Sequence, residues 1–208
     1  AEPSNLISMI AGDSASSAIA SKIFNSLIRY DANLNFSSDI AESWKISDDQ
    51  KTITFKIKKG LEWSDGEPLT SADVYFTWKL ITNPNTRTPY GSDYALVSEA
   101  LAPDENTFIV TYDDNYAPAL DTWASLEILP KHILENEDIN STFFSRKPVG
   151  SNYYKLGDWV SGQQVNLIKS ENGVLGAAYI KKLTSRIIPD TSSPVSYTHL
   201  TLPTTPYV

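Results

Sequence analysis

The chain has 208 residues, 41% of them hydrophobic and 20% charged, which is the composition of a globular protein of one or two domains. Its formal net charge of −8 argues against a nucleic-acid partner. Cysteine is absent, which excludes thiol catalysis, disulfides and thiolate metal sites, and no stretch approaches the roughly 18 apolar residues of a membrane helix.

In chain order, residues 6–10 are a short apolar run expected as a buried strand, broken by Gly12, Asp13 and Ser14. Ile19, Ile23, Leu27 and Ile28 then recur at three- and four-residue spacing, predicting a helix over residues 16–30. Asp13 or Ser14 would cap it. Residues 31–35 read as a turn. Ile53, Phe55 and Ile57 alternate with Thr52, Thr54, Lys56 and Lys58, the period of a half-buried strand. Turns flank it at residues 47–50 and 63–68, and Gly66 is free to take a positive φ. Thr70 with Asp73 three residues on forms a capping-box variant, opening a helix through Val74, Trp78 and Ile81 that stops at Asn83 and Pro84. Trp44 and Trp63 are the large anchors of this stretch.

Residues 85–94 are a loop rich in turn formers. A turn at 103–106 leads into a second strand, where Phe108, Val110 and Tyr112 alternate with Thr107, Ile109 and Thr111. The two strands are expected in one small antiparallel sheet flanked by the Thr70 helix. Asp113, Asp114 and Asn115 invite a metal reading, but no further ligands follow at calcium-loop spacing, so a solvated turn is expected. Residues 119–129 are helical in part. His132 is one of two histidines, the other being His199, and no catalytic or metal-binding pair results.

Within residues 41–74 four words stand in order: Ala41-Glu42-Ser43-Trp44, the Asp48-Asp49 turn, Thr54-Phe55-Lys56-Ile57-Lys58-Lys59-Gly60, and Trp63-Ser64-Asp65-Gly66-Glu67-Pro68-Leu69-Thr70. Together with Asp73 and the aromatic-rich helix after it, they resemble the extracytoplasmic solute-binding proteins, family 5, the oligopeptide- and dipeptide-binding proteins of ABC importers. Leu129-Pro130-Lys131-His132, Gly150 with Tyr153 and Leu156, the hairpin around Trp159 and Gly162, and residues 183–190 fit the same pattern. Two places depart from it: Asn152 replaces a glycine, which puts a close backbone contact there in doubt, and Ser170-Glu171-Asn172-Gly173 replaces a basic-Asn-Pro segment.

The resemblance implies a mixed α/β, periplasmic-binding-protein-like fold (class II, cluster C). Only the N-terminal lobe would be present, with an inserted small antiparallel-sheet domain. Residues 1–26 and 147–194 would form the ligand-side α/β lobe, and residues 27–146 the additional domain. The tail from Val195 breaks the pattern and matches one translated frame of a sequencing adaptor, so residues 195–208 are expected to be non-native and the chain a fragment. The resemblance further implies a monomer that captures an extended peptide between two lobes and delivers it to ABC permease membrane subunits. Its location would be periplasmic or extracytoplasmic, free or anchored as a lipoprotein. No enzyme activity, cofactor or metal is implied. Ligand contacts would fall at Ala11, Gly12 and Asp13, through the backbone, and at Tyr90 and Tyr94. Tyrosine suits the task, because its ring packs on an extended backbone while its hydroxyl finds a polar partner.

Two other classes compete with transport. A peptide- or solute-sensing receptor would share the fold. A hydrolase would need paired carboxylates from Glu62, Asp65, Glu67 or Asp73 across a cleft, yet Asp65 and Asp73 already serve a turn and a cap.

Overall fold

The computed structural model describes residues 1–176 and 178–188. The expected non-native tail, 195–208, and the Pro189-Asp190 end of the last strand motif lie outside the described residues.

Residues 6–10 do not form the expected strand. Asn5 Oδ1 accepts from the Ile7 N–H, and the Ile10 and Ala11 N–H groups both return to the Ile7 carbonyl, closing a tight turn that still buries Leu6 and Ile7 completely. Helix α1 (Ser14–Ile23) follows, with Asp13 as its N-cap accepting from the Ser16 N–H at 2.8 Å. It ends well before residue 30. The Ile23 carbonyl accepts from the N–H groups of Ser151 and Asn152, both at 2.9 Å, and Phe24 turns extended at φ −112°, ψ 155°. A far segment therefore terminates the helix, which no local periodicity can announce. Gly150 is required in that segment, since a Cβ would lie 2.2 Å from the Ile23 carbonyl oxygen.

The chain then makes a hairpin of β1 (Ile28–Tyr30) and β2 (Phe36–Ser38) around the expected turn, where Asp31 accepts from the N–H groups of Asn33 and Asn35. Strands β3 (Ala41–Ile46) and β4 (Thr52–Ile57) lead through the Trp63 turn, with Gly66 at φ 94°, to α2 (Ser71–Thr82). The capping box is complete: Thr70 and Asp73 each satisfy the other's end of the helix. A single helical turn, α3 (Gly91–Tyr94), lies inside the expected loop. Strand β5 (Val97–Asp104) was not foreseen from the sequence. It pairs with β6 (Thr107–Tyr112), giving an antiparallel sheet in the order β3-β4-β6-β5. Ile53, Phe55, Ile57, Phe108, Val110 and Tyr112 all point into the core, as their alternation predicts. Around them, Trp63 and Trp123 are fully buried, and Phe108 meets Trp123 edge-on at 5.3 Å.

Helices α4 (Ala119–Ser125) and α5 (Lys131–Leu134) complete this part. The last sheet is β7 (Tyr154–Val160), β8 (Gln164–Lys169) and β9 (Lys182–Arg186), antiparallel in that order. It is tied to the start of the chain: Glu2 accepts from Trp159 Nε1 at 2.9 Å and from the Gly162 N–H. Asn152 is not in the left-handed region. Its backbone donates to Ile23 and its side-chain amide to the Ser21 and Phe24 carbonyls, so the close contact that its substitution for glycine put in doubt is made.

Candidate functional site

A cavity of about 520 Å³ opens where the N-terminal turn, α1, α3 and α4 meet. Ser8 and Met9 come from the turn, Ser17 and Ser21 from α1, Tyr90 and Tyr94 from the α3 turn, and Tyr116 and Asp121 from the approach to α4 and α4 itself. A second cavity of about 440 Å³ shares Ser21, Ser125 and Glu127 with the first, so these residues form a wall common to both. Lys22 and Arg29 line only the second.

The sequence-predicted residues fall on these cavities unequally. Tyr90 is 46% exposed, lines the first cavity, and is held by its N–H donating to Thr88 Oγ1 at 3.1 Å. Tyr94 lines the same cavity but is mainly a core residue. It is buried, its hydroxyl donates to the Thr122 carbonyl at 3.0 Å, and its ring meets Trp123 edge-on; burial pushes its phenol pKa up. Ala11, Gly12 and Asp13 are not lining residues. They sit between Met9 and Ser17, which are, with Ala11 buried and Gly12 exposed. Asp13 is engaged as the cap. Burial opposes its ionisation, but hydrogen bonds from Ser4 and Ser16 outweigh that and hold its carboxyl at about 2.

Glu127 escaped the sequence reading. Its backbone bridges Ser26, and its half-buried carboxylate accepts from Ser8 Oγ at 2.6 Å. Burial pushes its carboxyl up to about 7, with only the Ser8 bond opposing. The available signal was a lone acid inside the apolar run Leu126 to Pro130. Asp39, on the second cavity, is likewise pushed up to about 6 by burial, against bonds from Asn25 and the Ser26 N–H. Asp65, by contrast, is spent on His132 at 2.9 Å, and Asp73 on the N–H groups of Thr70 and Lys131. Neither is left to pair across a cleft. Among the described residues no cluster of His, Asp or Glu is arranged to hold a metal.

Residues 35–196, well over half of the chain, match the bacterial extracellular solute-binding proteins, family 5 (middle region). The chain belongs to this family. A family 5 relative, the oligopeptide-binding protein AppA of Bacillus subtilis, is 34% identical over 203 residues, which cover 94% of this chain and 37% of AppA. A putative ABC transporter peptide-binding protein of Brucella ovis is 31% identical over 83% of the chain and 34% of its own length. The chain therefore spans about a third of the length of these relatives. Among solved structures, AppA of Bacillus subtilis in complex with a nonapeptide superposes with a TM-score of 0.87 at 30% identity, covering 94% of this chain and 40% of that one. NikZ of Campylobacter jejuni, in complex with Ni(L-His), gives the same TM-score at 25% identity, covering 95% and 40%. The fold is thus the mixed α/β periplasmic-binding-protein fold that the family 5 resemblance implied.

Proposed function

We propose that this chain is part of the substrate-binding component of a peptide ABC transporter, a periplasmic or extracytoplasmic monomer that captures extended peptides and presents them to the membrane permease. The observation that carries this reading is the tyrosine-lined recess, because it lies in the fold shared with a nonapeptide-bound relative. In this reading residues 1–26 and 147–194 form the ligand-side lobe and residues 27–146 the additional domain. The hydrogen bonds from Ser151 and Asn152 to Ile23, and from Trp159 to Glu2, support that division.

An extended peptide is held largely by main-chain hydrogen bonds, as an added strand, and roomy side-chain pockets bridged by water tolerate many sequences. The turn preceding α1, with exposed Gly12, is where such a backbone would run, and Tyr90 would pack on it. A second lobe closing by a hinge would bury the ligand and create the shape the permease recognises. No step in this cycle needs a catalytic group.

Calorimetry tests the reading. With a nonapeptide, the 208-residue chain is expected to bind more weakly than micromolar, because one face buries too little ligand. A chimera in which it replaces the matching third of Bacillus subtilis AppA is expected to bind at micromolar affinity or better. Micromolar binding by the chain alone would overturn the need for a second lobe, and no binding by a folded chimera would overturn the peptide reading.

A further inference from the structure

We infer that the first cavity selects a ligand carrying a primary ammonium or guanidinium group, and that Glu127 is the specificity-determining residue that pairs with it. The inference rests on reading this cavity as the ligand site and adds the chemistry of what enters it.

Glu127 lines both cavities and is half-buried, with one edge open to them. A carboxylate has about four acceptor positions, and among the described residues this one receives a single hydrogen bond, from Ser8. The ion pairs among the described residues are Lys51 with Asp114, Lys131 with Glu135, and His132 with Asp65; none reaches Glu127. A carboxylate withdrawn from water without a cation is costly, and that desolvation pushes the Glu127 carboxyl up to about 7. A cation from outside offsets that cost. The approach to Glu127 suits one: Asp93 and Asp121 line the same cavity, no lysine or arginine does, and Tyr90 and Tyr116 add aromatic side chains to the lining.

The other face is different. Lys22 and Arg29 line the second cavity, with Asp39 beside them, so a cation is favoured only from the tyrosine side. A carboxylate of the ligand is the complementary group for the Lys22 and Arg29 side.

The ammonium can come from a lysine side chain or from a peptide's own amino terminus, and three tripeptides separate these sources. Acetyl-Ala-Lys-Ala-amide carries only the side-chain cation, Ala-norleucine-Ala-amide only the terminal one, and acetyl-Ala-norleucine-Ala-amide neither. Each is titrated to millimolar concentration into the 208-residue chain, and the amide shifts of Ser8, Tyr90 and Glu127 are followed by NMR. At a pH above 7 at least one cationic peptide is expected to bind about tenfold more tightly than the neutral one, the scale of a charge-assisted pair in a recess. Glu127→Gln is expected to erase that difference while the remaining spectrum overlays the parent's.

Should the variant fail to fold, the parent supplies the same test, since the preference should shrink as pH falls below 7 and Glu127 protonates. Asp93, Asp121, Asp39, Lys22 and Arg29 face the two cavities from α3, α4, the β2–β3 link, α1 and β1. Asp39 lines only the second cavity and is pushed up to about 6, so its protonation follows that of Glu127 as pH falls. Equal binding of all three peptides at these amides overturns the cation preference while leaving the peptide site intact. Silence of these amides to every peptide overturns the site reading itself.

Discussion

Two regions of the molecule treat a carboxylate withdrawn from water in different ways. On the α2 side, Asp73 closes the capping box and also accepts from the Lys131 N–H at 2.9 Å, while Thr77 Oγ1 links the Asp73 carbonyl to the Leu129 N–H. Burial still pushes the Asp73 carboxyl up, but N–H groups of Thr70 and Lys131 oppose it. On the cavity side, Glu127 has Ser8 alone among the described residues. The first carboxylate joins two parts of the chain, each of its oxygens holding a backbone N–H. The second is left incomplete beside an opening.

Four outcomes would break or sharpen that contrast. Largest, Trp63→Ala removes a fully buried indole under the α2 entry and is expected to cost about 3–5 kcal/mol in denaturant unfolding. Next, Asp73→Ala strands the Thr70 and Lys131 N–H groups and should cost about 2–3 kcal/mol by the same measurement.

Glu127→Gln should do the reverse. The folded-state pKa lies above the unfolded value of about 4.3, so ionisation destabilises the native state progressively as pH rises from there to about 7, and fully above it. The variant should therefore be more stable than the parent by about 1–3 kcal/mol near pH 8, with the gain vanishing near pH 4. A loss of stability near pH 8 would place Glu127 with Asp73 as a structural group. Smallest in stability, Tyr90→Ala should move unfolding by no more than about 0.5 kcal/mol, since the ring is 46% exposed. In the two-lobed chimera it should weaken peptide binding by about 1–2 kcal/mol. Unchanged calorimetric affinity would return Tyr90 to an ordinary loop residue.

The same contrast explains what the sequence discloses. The β4 and β6 strands, the Thr70–Asp73 cap and the Trp63 turn are local matters: alternation, a four-residue motif and a glycine carry them, and each is found where expected. Apart from the turn at residues 6–10, which Asn5 and Ile7 close locally, the failures are non-local. Leu27 and Ile28 continue the spacing of α1, yet Ser151 and Asn152, over a hundred residues on, take the Ile23 carbonyl and end the helix. Strand β5 reads VSEALAPD, with no clean alternation and a proline, and is a strand because β6 offers it an edge. The cavity is the extreme case. Ser8, Tyr90, Asp121 and Glu127 come from four separate places, so Tyr90 was reachable through family resemblance, whereas Glu127 was visible only as an acid in an apolar run.

The account depends most on the recess being where the ligand sits, and photo-crosslinking asks this directly. A nonapeptide carrying benzoylphenylalanine, irradiated with the chain and mapped by mass spectrometry, should form adducts at Met9, Tyr90 or Tyr116 that unlabelled peptide suppresses. Competable adducts confined to the outward face of the four-stranded sheet, around Thr54 and Ile109, would contradict it.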